Sequence, residues 1–312
     1  MNIQQFKYIL AVEEHKHFEV AAEKSHITQS TLSTMISKFE DELGIRIFDR
    51  KKKPVQVTNE GAVIIEQLKV IVNNIEQLNE ITKEVKGEIT GTLTLSVIPT
   101  LAPFLLPLFL QDFASKFPNL NIKVREEPTS EIMRKLKSRE LDIGLLSIPL
   151  KDKEILELKL FDEPFLYFDA KAATPKNVSA NKIKVENLCL MEEGHCLRTQ
   201  VLRLCEVNAT QSASKLNFEY KAGSIDSLLR FVKANKASTL LPYLATQEFS
   251  PQEKAHLSEF KAPVPYRTIG LVVHRHFVKK KLLEALQREI IEKVSLIIPH
   301  LDLEGEMLLP VE

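Results

Sequence analysis

From Glu60 to about Lys86 the chain contains no proline, and its only glycine there, Gly61, stands at the start. Within this stretch Ile64, Leu68, Ile71, Ile75, Leu78, Thr82 and Val85 recur in alternating steps of four and three. That spacing predicts one long helix with a heptad seam, and such a seam is buried by a second helix. The stretch separates two differently patterned parts of the chain, so its seam is expected to meet a partner chain; an amphipathic helix packed on its own domain is the competing reading. Gly87 and Gly91 mark a hinge behind it. The expected domains are therefore 1–58, a linker and dimerisation helix with hinge at 59–90, and 91–312.

The first of these reads as three helices and a basic hairpin. Phe6, Ile9, Leu10 and Glu13 give a first helix, and a second runs over 19–25 with small Ala21 and Ala22 allowing close approach. Thr28 reads as the N-cap of a third helix whose Leu32, Met35, Ile36, Phe39 and Leu43 point inward, with Gly44 placed to close it. The opposite face begins with Gln29, Ser30, Thr31, Ser33 and Thr34, short polar groups that suit base edges and phosphates. Two short alternating segments follow around Arg50, Lys51, Lys52 and Lys53, a basic tip expected to meet phosphate. Lys+Arg and Asp+Glu both number 42, so this charge is visible only locally. The pattern is a winged helix-turn-helix, which predicts binding to double-stranded DNA. Two copies on a dimer would address the half-sites of a palindromic promoter.

Phe18, Ala21-Ala22, Thr28-Gln29-Ser30, Leu32-Ser33, Glu40, Glu42-Leu43-Gly44, Phe48-Asp49-Arg50 and Thr58-Asn59-Glu60-Gly61 together resemble the DNA-binding domain of LysR-type transcriptional regulators. The resemblance implies a transcription regulator, not an enzyme, acting with RNA polymerase as a dimer or tetramer.

Composition narrows the class further. At 312 residues the chain is long enough for two or three domains. Three cysteines without a regular framework fit a reducing cytosol and argue against a disulfide-stapled secreted protein. No apolar run reaches the length of a membrane span, and the N-terminus lacks the regions of a signal peptide. A soluble, cytoplasmic protein without a membrane partner is expected.

The remaining 91–312 alternate between apolar strand and helix patterns. Strands are expected at 92–98, 120–126 and 141–148, with helices at 101–117 and 130–137 between them, giving a parallel βαβαβ unit. Further strands are expected at 157–159, 165–167, 218–221, 239–241 and 268–273, and helices at 225–234 and 279–294. The 269–273 strand is expected to return to the first sheet. The LysR resemblance implies a two-subdomain, periplasmic-binding-protein-like α/β effector domain, whose ligands sit at carboxyl ends of strands between subdomains.

Gly194-His195-Cys196-Leu197-Arg198 opens a segment in which Leu197, Val201 and Leu204 recur at helical spacing up to Cys205. His195 and Arg198 flank the first cysteine, and cationic neighbours favour a thiolate. On one helix the two cysteines would stand about 13.5 Å apart along the axis. A disulfide needs Cα atoms roughly 4.4–6.8 Å apart, so pairing requires the helix to come apart. Two unrelated cysteines on a surface helix are the bland reading. Cys189, among apolar residues, reads as an inert core thiol.

Ile98-Pro99-Thr100, Thr129, this cysteine segment, Leu240-Leu241-Pro242 and Arg267-Thr268-Ile269-Gly270-Leu271-Val272 together resemble hydrogen-peroxide-sensing members of the LysR family. The resemblance implies that Cys196 is the peroxidatic cysteine and Cys205 the resolving one, with Thr100, Thr129, His195 and Arg267 around the peroxide. It implies a disulfide switch controlling antioxidant genes, reset by cellular thiol reductants and needing no cofactor or metal. Thr199 departs from members that carry an acid three positions after the cysteine. Three alternatives stay open here: a LysR-type regulator of a small carboxylate or aromatic effector, a thiol peroxidase, and a metal sensor built on Cys196, Cys205 and His195.

Overall fold

A computed structural model describes residues 1–85, 90–171, 177–180, 183, 187–192, 196–204, 222–298 and 305–310. The chain forms two compact units, Met1–Glu88 with Lys137–Glu140, and Ile89–Leu136 with Leu141–Glu312.

In the first unit, α1 (Ile3–His15), α2 (Phe18–Lys24) and α3 (Gln29–Leu43) precede a two-stranded wing, β1 (Phe48–Asp49) and β2 (Gln56–Val57), and the long α4 (Asn59–Val85). Helix α1 starts earlier than its apolar spacing suggests because Asn2 and Gln5 cap each other reciprocally, at 2.9 and 2.8 Å. Thr28 caps α3 by accepting from the Thr31 amide at 3.2 Å. Gly44 closes α3 at φ 67°, a left-handed conformation open to glycine at little cost. Leu32, Ile36 and Phe39 of α3 meet Ile9 and Val12 of α1 and Ala21 and Ala22 of α2 in one core. Helix α4 joins that core through Ile65 and Leu68, with Ile64 packed against it. A Cβ on Gly61 would lie 2.4 Å from the Ile47 carbonyl oxygen, so the wing and the start of α4 meet only over glycine.

The seam of α4 is thus shared. Leu68 packs on its own domain, while Ile71 and Leu78 remain 40% and 63% exposed. Gly87 and the side chains of Thr82 and Val85 lie outside the described residues.

The second unit is built on one mixed sheet. Strands β3 (Gly91–Val97), β4 (Leu120–Glu126) and β5 (Ile143–Ile148) are parallel, connected by α5 (Ala102–Lys116) and α6 (Thr129–Lys137). The expected break between 159 and 165 is absent: β6 (Ile155–Asp169) is a single strand running through Pro164. It is followed by β7 (Asn177–Val178), α7 (Cys196–Leu204), α8 (Ile225–Ala234) and β8 (Ser238–Pro242). Then come α9 (Pro251–Lys254), β9 (Leu257–Phe260), β10 (Val264–His274), α10 (Lys280–Ser295) and β11 (Gly305–Met307). The strand order is β4-β3-β5-β10-β6-β9-β7, with β11 against β10 and β8 against β6. As expected, β10 returns to the first sheet, lying antiparallel between β5 and β6. The expected strand at 218–221 lies outside the described residues.

Two hydrophobic cores result. The first collects β3, β5 and β10 with α5 and α10, centred on Phe109, Phe113, Leu145 and Leu271. The second collects the distal half of β6 with β8, α7 and α8, centred on Phe165, Leu197, Leu228 and Leu241. Strand β6 supplies both, pairing with β10 up to Pro164 and with β8 from Phe165 onward. Two subdomains joined by crossover strands are therefore the architecture of this unit.

Candidate functional site

On the first unit the polar face of α3 is held ready at its N-terminus. Gln29, Ser30, Thr31 and Thr34 are exposed, and Ser33 is half-buried. The Thr28 hydroxyl pairs with those of Ser30 and Thr31 at 3.0 and 2.8 Å, so cap and neighbours form one hydroxyl cluster. At the wing tip Lys51, Lys52 and Lys53 are exposed, Lys52 donating to Gln56 at 2.8 Å. Arg50 behaves differently from these lysines. Its guanidinium donates to Ser33 and Ser37 at 2.9 and 3.0 Å and to Glu40 at 3.0 Å, over the Phe18 ring. It braces the wing against α3, a role its place in the basic run does not reveal.

The second unit brings Cys196, Thr100, Thr129 and Arg267 to the seam between its cores. Cys196 is the first residue of α7 and packs with the first core, whereas Leu197, Val201 and Leu204 of the same helix pack with the second. Thr100 lies in the turn between β3 and α5 and is buried; Thr129 opens α6; Arg267 lies on β10 with no exposed surface. The Arg267 guanidinium donates through Nη1 to the Thr100 hydroxyl at 3.0 Å and through Nη2 to the Thr100 carbonyl at 3.2 Å.

Burial pushes the Cys196 thiol up from its ordinary value. Acting against this are the Arg267 charge, the Leu197 amide, the Thr129 hydroxyl and the Cys196 amide itself, each favouring the thiolate. Burial is the largest of these influences, and the thiol stays raised overall. Among the described residues the cation acting on this sulfur is Arg267, not Arg198: the Arg198 guanidinium donates to the Met191 carbonyl at 3.1 Å. A side chain two positions along a helix lies on a different face from its neighbour, and sequence adjacency misleads on this point.

His195 and Cys205 lie outside the described residues, and Cys205 follows directly on Leu204, the last described residue of α7. Cys189 and Cys196 are free thiols. Cys189 is half-buried, and burial raises its thiol as well. Its backbone is occupied by β8, the amide donating to the Ser238 carbonyl and the carbonyl accepting from the Thr239 hydroxyl.

Two further side chains belong to this seam, and the sequence reading does not single them out. Glu163, opposite Arg267 in the β6–β10 register, accepts from Arg267 Nε at 2.8 Å. Gln200, one helical turn after Cys196, donates from Nε2 to the Ser147 hydroxyl at 3.1 Å and the Leu308 carbonyl at 2.7 Å. Its Oε1 is buried without a hydrogen-bond partner among the described residues, one helical turn from the thiol-bearing residue. The four-residue step from Cys196 is a signal for Gln200. Nothing local signals Glu163, whose partner is 104 residues away.

Comparison with known proteins places these features in a family. Residues 3–62 match the bacterial regulatory helix-turn-helix protein, lysR family, and residues 86–295 match the LysR substrate binding domain. A hydrogen peroxide-inducible genes activator of Dickeya chrysanthemi is 32% identical over 87% of this chain and 89% of its own length. The DNA-binding transcriptional dual regulator OxyR of Escherichia coli is 33% identical over 87% of this chain and 89% of its own length. The structure of a full-length OxyR variant from Pseudomonas aeruginosa superposes with a TM-score of 0.74 at 27% identity, covering 93% of this chain and 98% of that one. With both of its domains matched and its relatives aligned almost end to end, the chain belongs to the LysR family of DNA-binding transcriptional regulators, and within it to the OxyR-like members.

Proposed function

We propose that this regulator senses hydrogen peroxide through Cys196 and Cys205 and converts the oxidation into altered promoter binding. The observation that carries the reading is that Arg267 and the Thr129 hydroxyl act on the Cys196 sulfur at the boundary of two cores, with Thr100 bonded to that arginine. The names of its relatives supply the oxidant. Hydroxyls of Thr100 and Thr129, the His195 ring and the Gln200 side-chain oxygen orient the peroxide oxygens.

The chemistry balances without a cofactor. The Cys196 sulfur attacks one peroxide oxygen; an S–O bond forms as the O–O bond breaks, and the sulfur loses two electrons to become a sulfenic acid. The departing oxygen takes the proton that the buried thiol gives up and leaves as water. Cys205 then attacks the oxidised sulfur; an S–S bond forms, the S–O bond breaks, and the hydroxyl leaves with the Cys205 proton as a second water. A cellular thiol reductant returns the two electrons. Because α7 must come apart for the sulfurs to meet, this helix, with Cys196 in one core and its leucines and valine in the other, is the element that changes state.

The polar face of α3 reads base edges, Lys51, Lys52 and Lys53 neutralise phosphates, and Arg50 holds the wing in place for them. The open part of the α4 seam pairs two chains, whose dimer or tetramer binds palindromic promoter sites in the cytoplasm and engages RNA polymerase.

Mass spectrometry of thiol-trapped protein after a brief, stoichiometric dose of hydrogen peroxide tests the reading. A Cys196–Cys205 disulfide in the wild type, absent in Cys196→Ser together with the transcriptional response, is the expected result. A response that survives Cys196→Ser would return the chain to effector-driven regulation.

A further inference from the structure

Arg267 and Glu163 have no exposed side-chain surface, a property that no other described ion pair shares in both partners. The sheet fixes their spacing, since the two residues face each other across β10 and β6. Both Nε and Nη2 of Arg267 reach the same carboxylate oxygen, Oε2, at 2.8 Å. The other oxygen, Oε1, accepts from the Leu244 amide at 2.9 Å. Leu244 follows β8, yet its side chain packs with the first core while its neighbours Leu241 and Ala245 pack with the second. The far edge of the guanidinium is held by Thr100. One carboxylate thus fastens the arginine, the loop after β3 and the turn after β8 at the seam that holds Cys196.

Stability alone is a weak reason for such a pair, because desolvating two charges offsets most of their attraction, and apolar residues of similar size hold a core as well. What the carboxylate does supply is a fixed orientation and a charge balance. An unpaired guanidinium in a low-dielectric seam acts on the sulfur as a full charge; one paired with a carboxylate acts as a dipole with a much shorter reach.

We infer that Glu163 is a positioning residue for the Cys196 chemistry: it fixes the Arg267 guanidinium against Thr100 and takes up part of its charge, setting how much thiolate the sensor holds at rest. The inference rests on Cys196 being the reacting thiol. Among the described residues, the groups that face this sulfur are Arg267 from β10, the Thr129 hydroxyl from α6, and the amides of Cys196 and Leu197 on α7. Glu163 stands behind Arg267 on β6, and Arg198 is turned away to Met191. Removal of the Glu163 charge therefore exposes the sulfur to an uncompensated cation. The resting sensor becomes easier to deprotonate, and its response threshold falls.

The test follows alkylation of Cys196 by iodoacetamide against pH in the full chain, quantified on the Cys196 peptide by mass spectrometry, for the wild type, Glu163→Gln and Glu163→Asp. Glu163→Gln is expected to bring the alkylation midpoint below about 8.5, the ordinary thiol value. Alkylation at pH 7 should speed up at least about threefold for each pH unit by which that midpoint falls, after allowing for the weaker nucleophile. Glu163→Asp keeps the charge and is expected to stay above the ordinary value. A merely loosened seam would bring both variants to the ordinary value and no lower, and that result, or an unchanged midpoint in Glu163→Gln, overturns the proposal. Far-ultraviolet circular dichroism of each variant establishes that it is folded. Peroxide rates measured in parallel keep the two readings apart: a wild-type Cys196 that ignores peroxide defeats the peroxide reading, while the alkylation midpoints still decide the role of Glu163.

Discussion

Glu40 in the first unit, like Glu163 in the second, ties arginine to backbone amide through one buried carboxylate. Its side chain is buried, with Oε1 accepting from the Ile47 and Phe48 amides at 2.8 and 3.2 Å and Oε2 accepting from Arg46 and Arg50 at 3.1 and 3.0 Å. Glu40→Ala leaves two backbone donors and a bracing arginine without their acceptor, and each buried unsatisfied group costs about 1–3 kcal/mol. Thermal unfolding is expected to show a loss of about 2–4 kcal/mol in this unit, and Glu40→Gln, which keeps an acceptor, a smaller one; equal losses would show that the packing, not the acceptor, matters. Cys196 makes a second prediction at this scale, in pH. Burial raises its thiol above the unfolded value. As pH rises the unfolded chain loses this proton first, so the associated stability is full below the ordinary thiol range near about 8.5 and is lost as pH climbs through it toward the folded value. Denaturant midpoints compared between about pH 7 and pH 10 should fall more for the wild type than for Cys196→Ser; parallel falls would remove the thiol from the account.

Helix α7 carries the consequence to the next scale. Its Leu197, Val201 and Leu204 spacing makes it legible as a helix, but does not reveal what holds its outer side. Gln200 donates to the Leu308 carbonyl at 2.7 Å, Arg203 donates to the Leu309 carbonyl at 3.2 Å, and the Leu308 amide donates to Tyr266 on β10 at 2.8 Å. The segment around β11 thereby ties α7 to a crossover strand. Removing residues 305–312 is expected to speed amide hydrogen exchange across 197–204 while leaving α1 to α3 unchanged; unaltered exchange in α7 would mean that its packing on the second core suffices. Strand β11 is illegible for a physical reason: it has three residues, all exposed, and no alternation for a sheet face to impose. Strand β6 reads as two pieces because Pro164 interrupts a run of donors, yet Pro164 falls where β6 changes partners from β10 to β8, so little pairing is lost. The three helices of the first unit and the α7 period are written locally, in caps and spacing. Of the residues at the seam, Cys196, Thr100, Thr129 and Arg267 are legible in the sequence, since they lie near strand ends or helix starts. Glu163 and the true orientation of Arg198 depend on strand pairing and helix rotation, and no short window of sequence contains either.

At the scale of the whole molecule, charge and apolar exposure are arranged in separate places. The net charge is zero, yet Lys51, Lys52 and Lys53 stand exposed together at the wing, and Ile71 and Leu78 stand exposed on α4. No helix among the described residues is long and apolar enough to cross a membrane. On the proposed function these two patches contribute differently to DNA binding, and salt separates them. Each phosphate contact releases counterions and adds about −0.9 to the slope of log affinity against log salt. Replacing Lys51, Lys52 and Lys53 with alanine is therefore expected to flatten the slope by up to about 3 per protomer bound, with the oligomeric state unchanged. Replacing Ile71 and Leu78 with glutamate acts on the seam instead: light scattering should report smaller assemblies, and affinity for a two-half-site promoter should fall because the second domain no longer binds as a tethered partner. The slope per bound domain should stay as in the wild type, since the phosphate contacts are untouched. A flattened slope after the α4 substitutions, or a changed assembly after the lysine substitutions, would mean that wing and seam are not the separable devices their placement makes them.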